Sequence, residues 1–391
     1  MKPDANRRDG ASIDLGAGRV PAVTRAVAVL ETVAASQSGL ALSTIARILE
    51  VPKSSLFNIC ETLASERLLR RDATGRYRIG VRIAEFAAAQ LNHPPRLKAV
   101  ALVVQNFTNP FFHAEAHAVQ VAGAVAGVDV AVFDSRQTLG CQIEQLKALA
   151  ASGIDAVILD PVDSEGVAAG VAAVRAAGIP VVAVNAGASG ADAIVATDNV
   201  QAGELVARHL GAVARGAAGV VVVGGTRITG NFDRISGFLS ALRDFPHIRV
   251  IDRLDGDNTR ETGREVGRVI LDRHPRVSAV FSINDPTALG ILETFEARGV
   301  PALILSVDGS TEALKALREE RGIIATAAQN PQELGRVAFK LADLLHSGAR
   351  LPRRTWLLPT ELIVPGMAEA YVAWDVNAPA AAPAAGAPVV T

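Results

Sequence analysis

The chain has 391 residues, more than one ordinary hydrophobic core uses, so two or three domains are expected. Hydrophobic residues make up 49% of it and aromatic residues only 4%, a balance typical of parallel β-sheets packed against helices. The net charge of −1 at pH 7 neither indicates nor excludes a nucleic-acid partner for the chain as a whole.

Two further features bear on location and chemistry. No stretch approaches the roughly 18 apolar residues of a membrane span, and the charged first ten residues lack the apolar segment of a secretory signal. A cytoplasmic protein is therefore expected. Cys60 and Cys141 show no metal-binding or redox spacing and fall in amphipathic helical patterns, so we expect buried apolar roles for both and no cofactor.

The two ends of the chain differ in composition from the rest. Residues 1–18 are polar and rich in glycine and are expected to form a disordered arm. Residues 375–391 form an Ala/Pro tail of low complexity, also expected to be unstructured. Between 19 and 96 there are eleven basic and six acidic residues, whereas the remainder of the chain is acidic. A basic module joined to an acidic one indicates that only the first contacts phosphates.

Residues 19–86 have the pattern of three helices followed by a hairpin. A second helix, for which Ser43 is a good N-cap, precedes a turn at Val51-Pro52 and a third helix. Residues 68–79 are predicted to form two strands around an Ala-Thr-Gly turn. This order is that of a winged helix-turn-helix. The apolar face of the first helix consists of Val23, Val27, Leu30 and Val33.

In such modules the N-terminal part of the third helix enters the major groove of DNA. Asn58 can pair with an adenine edge, and serines can reach a base or a phosphate. The wing arginines would neutralise phosphates; an ordinary solvated hairpin face is the alternative, which the preceding helix pattern disfavours. The candidate DNA-binding residues are Ser43, Lys53, Ser54, Ser55, Phe57, Asn58, Arg70, Arg71, Arg76 and Arg78.

This region resembles the DNA-binding domain of IclR-type regulators over about 65 residues. The resemblance implies that double-stranded operator DNA is a partner. The chain departs from the family at Leu56-Phe57-Asn58, where a β-branched, then a polar or aromatic, then a basic residue is usual, so the operator sequence stays open. The matching motifs are VTRAVAVL at 23–30, LSTIAR at 42–47, PKSS at 52–55 and GRYRIG at 75–80.

After a linker predicted at 87–96, apolar runs alternate with amphipathic helical segments. Strands that alternate with helices of this length indicate right-handed βαβ units. Two parallel sheets fit the length better than one. The predicted fold class is therefore α/β, with a two-lobed module at 97–374. The apolar runs lie at 99–104, 128–133, 156–159, 181–184, 219–223, 279–283 and 303–307.

This second module resembles type I periplasmic sugar-binding proteins of the ribose-binding kind, and the sensor domains of LacI-type repressors. The resemblance extends from about residue 97 to 372. It implies one lobe from 97–198 with 330–358 and a second from 199–329 with 359–374. The motifs that carry it are NPFF at 109–112, DPVDS at 160–164, Asp198-Asn199, Asn284-Asp285, Val307-Asp308-Gly309 and Ala328-Gln329.

The resemblance also implies a ligand site between the lobes. An aromatic pair can stack on a sugar ring, although a core role is the alternative for either ring; a carboxylate can accept from two hydroxyls, and an arginine can donate as a fork. The implied contacts are Asn109, Phe111, Phe112, Asn185, Arg234, Asn284, Asp308 and Gln329.

Two departures argue against ribose itself. Ribose-type sites usually have Asp-Arg where this chain has Asn185-Ala186, and residues 256–259 lack the aromatic that commonly closes the far side of the ring. The expected ligand is therefore another polyhydroxylated molecule, such as a polyol, cyclitol or hexose. His113 and His117 are four residues apart around Glu115, but the order is not that of a zinc protease and a third ligand is missing, so a metal site is the weaker interpretation.

These patterns together predict a ligand-responsive, DNA-binding transcriptional regulator rather than an enzyme, since no catalytic constellation is present in the sequence. A palindromic operator needs two half-sites, so at least a homodimer, or a dimer of dimers, is expected. The alternative is a cytoplasmic or exported solute-binding protein of a sugar uptake system.

The connection between the two modules differs from that of LacI-type proteins. LacI-type proteins couple their two parts through a hinge helix, whereas this chain continues at 81–86 as IclR-type regulators do.

Overall fold

The computed structural model describes residues 21–36, 38–90, 96–214, 216–301 and 303–375. The arm predicted at 1–18, and all of the predicted tail after Asp375, lie outside the described residues. The chain divides into two compact units, one up to residue 94 and one from residue 95 onward. Among the helices in these ranges, none combines the length and apolarity needed to cross a bilayer.

The first unit is the predicted winged helix-turn-helix. Its buried core is formed by residues such as Val29, Ile45, Leu56 and Tyr77. The wing is an antiparallel pair of strands closed by a turn in which the Gly75 N–H donates to the Asp72 carbonyl over 2.8 Å. The elements are α1 (Pro21–Ala34), α2 (Leu42–Leu49), α3 (Lys53–Ser65), β1 (Leu69–Arg71), β2 (Tyr77–Ile79) and α4 (Val81–Gln90).

The expected N-cap at Ser43 is wrong. Helix α2 begins at Leu42, two residues earlier than a cap at Ser43 would place it, with Ala41 at the cap position and no side-chain cap, and Ser43 is exposed in the first turn. The Ile45 N–H donates to the Ala41 carbonyl over 3.1 Å. This start places Leu42, Ile45 and Ala46 at helical spacing on the face that packs in the core. Burial of that apolar face therefore prevails over the local capping preference of serine.

The predicted linker at 87–96 is in part helical, because α4 extends to Gln90. The added residues include three alanines, the strongest helix former. Ion pairs join α4 to the end of α3 and the turn after it: Arg67 Nη2 lies 2.9 Å from Glu85 Oε1, and Arg82 pairs with Glu66. The helix that leaves the winged unit is thus fastened to it.

The second unit contains two six-stranded sheets, each covered by helices. The strands are β3 (Ala99–Val104), β4 (Asp129–Asp134), β5 (Ala156–Leu159), β6 (Val181–Asn185), β7 (Ala193–Thr197), β8 (Ala218–Gly224), β9 (Ile248–Asp255), β10 (Ala279–Ser282), β11 (Leu303–Asp308), β12 (Ile323–Ala328), β13 (Thr355–Leu358) and β14 (Glu361–Ile363). The helices are α5 (Pro110–Ala126), α6 (Leu139–Leu149), α7 (Ala168–Ala176), α8 (Asn199–Val213), α9 (Thr229–Leu242), α10 (Arg260–Arg273), α11 (Asp285–Arg298), α12 (Thr311–Arg318) and α13 (Pro331–His346), and a 3₁₀ turn spans Pro365–Met367.

The strand orders define two lobes. Lobe 1 is built on the all-parallel sheet β13-β7-β6-β5-β3-β4, and lobe 2 on the sheet β14-β12-β11-β10-β8-β9. Only β14 runs antiparallel to its neighbour in lobe 2. The chain crosses between the lobes after β7, after β12 and after β13. Each of the seven predicted apolar runs coincides with a strand to within one residue at either end, whereas β7, β9, β12, β13 and β14 were not predicted.

The two cysteines differ in burial. Cys60 is buried in the core of the first unit, as expected, and burial raises the pKa of its thiol to about 11. Cys141 is only partly buried, contrary to expectation. Helix α6 packs on lobe 1 through Gln142, Leu146 and Leu149, which leaves Cys141 on the flank of the helix.

Glycines let two helices of lobe 2 touch backbone to backbone. A Cβ at Gly203 of α8 would lie 2.0 Å from the Arg234 carbonyl oxygen, and one at Gly237 of α9 would lie 2.0 Å from the Val200 carbonyl oxygen. Both distances are far inside van der Waals contact, so only glycine fits at either position. The contact sets the position of α9 and therefore of the Arg234 side chain that α9 carries.

We expect Gly203→Ala to lower the free energy of unfolding of the second unit by about 1–3 kcal/mol, since a methyl group forces α8 and α9 apart. Denaturation followed by tryptophan fluorescence measures this unit alone, because the chain's two tryptophans, Trp356 and Trp374, both belong to it. Gly140→Ala in α6 is the control, since its Cβ would meet no atom within 4 Å. Equal losses in both variants would contradict the close-packing argument.

Candidate ligand-binding site and DNA-binding surface

The eight sequence-predicted ligand residues converge between the lobes. Parallel strands bring the loops at their carboxyl ends to one edge of a sheet, and here both sheets turn that edge to the same cleft. The eight residues line a single cavity of about 30 Å³ at the inner end of this cleft. They are Asn109, Phe111 and Phe112 after β3, Asn185 at the end of β6, Arg234 on α9, Asn284 after β10, Asp308 at the end of β11 and Gln329 after β12.

A wider space of about 670 Å³, which is the size of a small-molecule site, adjoins the cavity through shared lining residues. Gln105, Asn109, Phe112, Asn258 and Asp308 line both spaces. The sequence did not single out four lining residues: Gln105, Ile228, Asn231 and Asn258. Gln105 could have been found because it directly follows β3, whereas Asn258 follows β9, a strand without an apolar run.

The two predicted stacking residues belong to a cluster of three aromatics. The Phe111 and Phe112 rings meet edge to face at 5.6 Å, and Phe111 meets Trp374 in the same way at 5.7 Å. All three pack in the core of lobe 1, while Phe111 and Phe112 also line the cavity. The Trp374 Nε1–H donates to the Asp308 carbonyl of lobe 2 over 2.8 Å. Trp374 thus links the aromatic cluster to the opposite lobe, a role that the sequence did not indicate.

Arg234 is 5% exposed and has several fixed partners. Its Nε donates to Asn199 Oδ1 over 2.8 Å, and its Nη1 donates to the Ile283 carbonyl over 2.7 Å. Nη1 also lies 3.6 Å from Asp308 Oδ1. Burial lowers the pKa of Arg234, but these oxygens and nearby carboxylates stabilise its charged form. The guanidinium is therefore held in one orientation in the cleft wall.

Asp308 is the centre of a hydrogen-bond chain that reaches lobe 1. Its Oδ1 accepts from Gln329 Nε2 over 2.6 Å, and Gln329 Oε1 accepts from Thr197 Oγ1 over 2.7 Å. Burial, with the charge of Asp285 adding to it and Arg234 opposing it, raises the pKa of Asp308 to about 7. The Asp308 backbone has φ of 140°, a strained value for a non-glycine residue and one that clusters at ligand sites.

A second group of polar side chains lies behind the cavity in lobe 1. Asp160 is fully buried and accepts from Gln105 Nε2 over 2.7 Å and from Asn185 Nδ2 over 3.1 Å. Burial raises the pKa of Asp160 to about 7. Glu115 is also fully buried, and neither of its carboxyl oxygens has a hydrogen-bond partner. Burial, together with the charge of Asp160, raises the pKa of Glu115 well above its usual value.

In the first unit, helix α3 presents the predicted recognition face. Its buried face, Leu56, Cys60 and Leu63, packs in the core, so the opposite face points to solvent. Ser43 of α2 is exposed as well. The exposed residues of α3 include Lys53, Ser54, Ser55, Phe57 and Asn58.

The wing arginines fall into two groups. Arg70, Arg71 and Arg76 are exposed. Arg78 is half-buried, and its Nε lies 3.1 Å from Asp72 Oδ2. Hydrogen bonds from Thr74 and from the Arg76 N–H hold the pKa of Asp72 below its usual range. Arg78 therefore helps to hold the wing turn, whereas the side chains of the other three extend into solvent.

His113 of α5 has local structural contacts. His113 Nε2 lies 2.9 Å from the Phe107 carbonyl oxygen, and the His113 ring stacks on the Phe107 ring at 4.7 Å. Within the described ranges, no three histidine, cysteine or acidic side chains are grouped to hold a metal ion. His113 thus has a packing role in the loop that precedes α5.

Comparison with protein families identifies both units. The model of the periplasmic binding protein domain matches residues 100–350, more than half of the chain. The chain belongs to the periplasmic binding protein domain family. The model of the IclR helix-turn-helix domain matches residues 22–73, so this family member carries an IclR-type helix-turn-helix in its first unit.

Several proteins are similar to the periplasmic binding protein domain of this chain. The ribose import binding protein RbsB of Bacillus subtilis (strain 168) is 29% identical over 257 residues, covering 65% of this chain and 83% of that protein. A Caulobacter myo-inositol binding protein bound to myo-inositol is 26% identical, with a TM-score of 0.65, covering 70% of this chain and 95% of the other. An ABC transporter solute binding protein from Mycobacterium smegmatis with bound glycerol is 27% identical, with a TM-score of 0.67, covering 70% and 96%.

The unpaired carboxyl of Glu115 predicts a pH-dependent stability. In the unfolded chain Glu115 ionises above its ordinary pKa of 4.5, whereas the folded protein retains the proton. Its contribution to stability is therefore present below pH 4.5 and is lost as the pH rises toward the folded-state pKa. Relative to Glu115→Gln, the wild-type second unit should lose stability as the pH rises above about 4.5, by up to about 1.4 kcal/mol per pH unit.

Urea denaturation followed by tryptophan fluorescence at several pH values tests this expectation. Glu144→Gln is the matched control, because Glu144 lies on the surface in an ion pair with Lys147. Its stability should run parallel to that of the wild type across the pH range. If the Glu115→Gln curve is also parallel, Glu115 does not retain its proton in the folded protein.

Proposed function

We propose that this protein is a ligand-responsive transcriptional regulator, in which a small polyhydroxylated molecule binds between the two lobes and alters operator binding by the winged helix-turn-helix. The observation that carries the proposal is the combination in one chain of an IclR helix-turn-helix and a periplasmic binding protein domain with a converged polar cleft. The helix-turn-helix argues against a solute-binding protein of an uptake system. We further propose that the protein acts in the cytoplasm and catalyses no reaction.

The buried charges favour a neutral ligand. Among the described residues that line the inner cavity, Arg234 is the cation, and it already faces Asp308, with Asp160 also close enough to influence it. An anionic ligand would add a buried negative charge without a partner, which is strongly unfavourable. Neutral hydroxyls, in contrast, can donate to Asp308 and accept from Arg234 and the amides. The similar proteins are named for ribose or contain myo-inositol or glycerol, all neutral polyhydroxylated molecules.

The crossings between the lobes provide a route for regulation. The hydrogen bonds from Thr197 through Gln329 to Asp308 extend from lobe 1 into lobe 2, so a ligand that contacts Asp308 and Phe112 contacts both lobes. Such a ligand binds the closed arrangement more tightly than the open one and shifts the protein toward closure. In an oligomer, closure would change the spacing of the DNA-binding units and therefore the affinity for the operator.

We propose that the functional form is at least a homodimer. Val23 and Val27 of α1 are 60% and 49% exposed, and they lie at helical spacing on one apolar face. In α4, Val81 and Phe86 are 46% and 54% exposed. A second copy of the chain would remove these apolar faces from water and would supply the second recognition helix that a palindromic operator requires.

The ligand proposal predicts that one or more neutral polyols raise the melting temperature of the full-length protein, since a ligand of the folded state stabilises it by mass action. The panel is D-ribose, D-allose, D-galactose, myo-inositol and glycerol, with D-gluconate as the anionic comparison. Arg234→Lys should weaken binding by about tenfold or more, because lysine cannot reproduce the guanidinium fork. DNA binding without ligand should stay as in the wild type.

Arg208→Lys is the control for this substitution, because Arg208 forms an exposed ion pair with Asp244 outside the cleft. Its response to the panel should equal that of the wild type. Binding of gluconate in preference to every neutral member would contradict the charge argument, and a panel without any hit would count against the sugar-like ligand.

The DNA proposal predicts the opposite behaviour for the first unit. The probe is a DNA fragment that the wild-type protein selects from a random library. The double variant Lys53→Ala/Asn58→Ala should bind this fragment about tenfold or more weakly, since one phosphate contact and one base contact are lost. The melting-temperature response to the polyol panel should stay unchanged. Gel-shift titration at fixed salt measures the effect, because phosphate contacts make the affinity depend on salt.

Lys147→Ala in α6 removes the same charge from the second unit and is the control. It should bind the selected DNA as the wild type does. DNA binding that survives in the double variant would place the interface elsewhere on the first unit.

A further inference from the structure

Asn185 stands where ribose-type sites usually have a carboxylate, and its amide is hydrogen-bonded to another carboxylate. Asn185 Nδ2 lies 3.1 Å from Asp160 Oδ2 and 3.4 Å from Asp160 Oδ1. Gln105 Nε2 donates to the same carboxylate over 2.7 Å. Two amides of the cavity wall therefore turn their NH₂ groups toward one buried acid.

This contact decides which end of the Asn185 amide is presented to the cleft. An amide has one donating and one accepting end, and Gln105 and Asn185 both direct their donating ends at Asp160, so the Asp160 carboxyl is the acceptor in both contacts. With Nδ2 directed at Asp160, Oδ1 lies at the opposite end, and none of the described residues donates a hydrogen bond to it. Asn185 is 7% exposed and lines the cavity, and it is held at the end of β6 with φ of 64°.

We propose that Asp160 is a positioning residue that fixes the Asn185 amide as a hydrogen-bond acceptor for a ligand hydroxyl. The inference rests on the proposed function, since it concerns the same cleft. It implies that position 185 still presents a hydrogen-bond acceptor to the ligand, as a ribose-type carboxylate would. The carboxyl group itself belongs to Asp160, which contacts Asn185 on the side away from the cleft. The ligand then presents a hydroxyl hydrogen to Asn185, and a deoxygenated analogue loses this contact.

A ligand-free experiment tests the contact itself with four full-length proteins: the wild type, Asp160→Asn, Asn185→Asp and the double variant. In Asn185→Asp two carboxylates face each other, so the melting temperature of the tryptophan-reported transition should fall by several degrees. In the double variant the amide introduced at position 160 donates to the carboxylate introduced at position 185, so the second substitution should cause a much smaller fall or none. Aspartate tolerates positive φ almost as well as asparagine, which makes the substitution conservative for the backbone.

Equal effects of Asn185→Asp in both backgrounds would overturn the proposal, because independent sites add. A strong departure from additivity supports it. The result does not depend on any ligand, so this double-mutant cycle of four proteins stays informative whether or not the protein binds a sugar.

A second arm measures ligand affinity by calorimetry with D-ribose, D-allose, D-galactose and myo-inositol. In Asp160→Asn the new amide can donate to Asn185 Oδ1, which turns the Asn185 NH₂ group into the cleft. For each sugar that the wild type binds, we expect about tenfold or more weaker binding in Asp160→Asn. The double variant should recover most of this loss, since the carboxylate introduced at position 185 accepts with either oxygen. A merely structural role for Asp160 would not give this recovery.

Glu115→Gln is the control, because Glu115 is as buried as Asp160 but makes no hydrogen bond that the substitution removes. Its sugar affinity should stay within about twofold of the wild type. Wild-type affinity in Asp160→Asn, or a double variant as weak as Asp160→Asn, would overturn the proposal. If the wild type binds no sugar while the ligand-free cycle is non-additive, the proposed function fails and the Asp160–Asn185 contact stands.

Discussion

The buried pair of Arg234 and Asp308 constrains the rest of the second unit. Two opposite charges removed from water are tolerated only when further hydrogen bonds satisfy them. Asn199, Ile283 and Gln329 supply these bonds to the pair, and Trp374 donates to the Asp308 carbonyl. Arg234, Asp308 and the first three of these partners all belong to lobe 2, whereas Trp374 packs in the core of lobe 1. The pair therefore fixes the lobe 2 wall of the cleft, and the Trp374 hydrogen bond joins that wall to lobe 1. The packing that holds lobe 2 together therefore also fixes the charged groups that line the cleft.

The strands that could be predicted are those whose burial gives a hydrophobic pattern in the sequence. Strands β3, β5 and β6 lie between two layers of helices and are buried on both faces, so each gives a continuous apolar run. Strand β9 lies at the edge of its sheet, and its exposed positions alternate with less exposed ones, so charged residues interrupt the pattern. The N-cap expected at Ser43 was wrong for a related reason, since a local capping preference competes with the packing of the α2 apolar face.

The candidate site was predictable in composition but only partly in geometry. The eight residues taken from the family resemblance converge on one cavity because the βαβ topology fixes where strand ends lie. The hydrogen bond between Asp160 and Asn185 could not be read from sequence, since it depends on how two neighbouring strands are aligned and which way an amide is turned. Trp374 escaped notice because it follows the last strand, in a segment without helix or strand periodicity.

The two departures from a ribose-type site have different structural outcomes. At position 185 the ribose-type carboxylate is missing, and the carboxyl group of Asp160, which contacts Asn185 from the neighbouring strand, takes its place. At residues 256–259 no aromatic replaces the missing ring; Asn258 lines the cavity instead, held by Asn231 Nδ2 at 3.2 Å and by the Thr226 N–H at 3.1 Å. The aromatic side chains that line the cavity among the described residues thus lie on the lobe 1 side, beside the amides of that lobe, whereas lobe 2 contributes mostly polar side chains. Under the proposed function, a ring bound there would present one apolar face to Phe112 and hydroxyls to lobe 2, which is a stricter demand than polyhydroxylation alone.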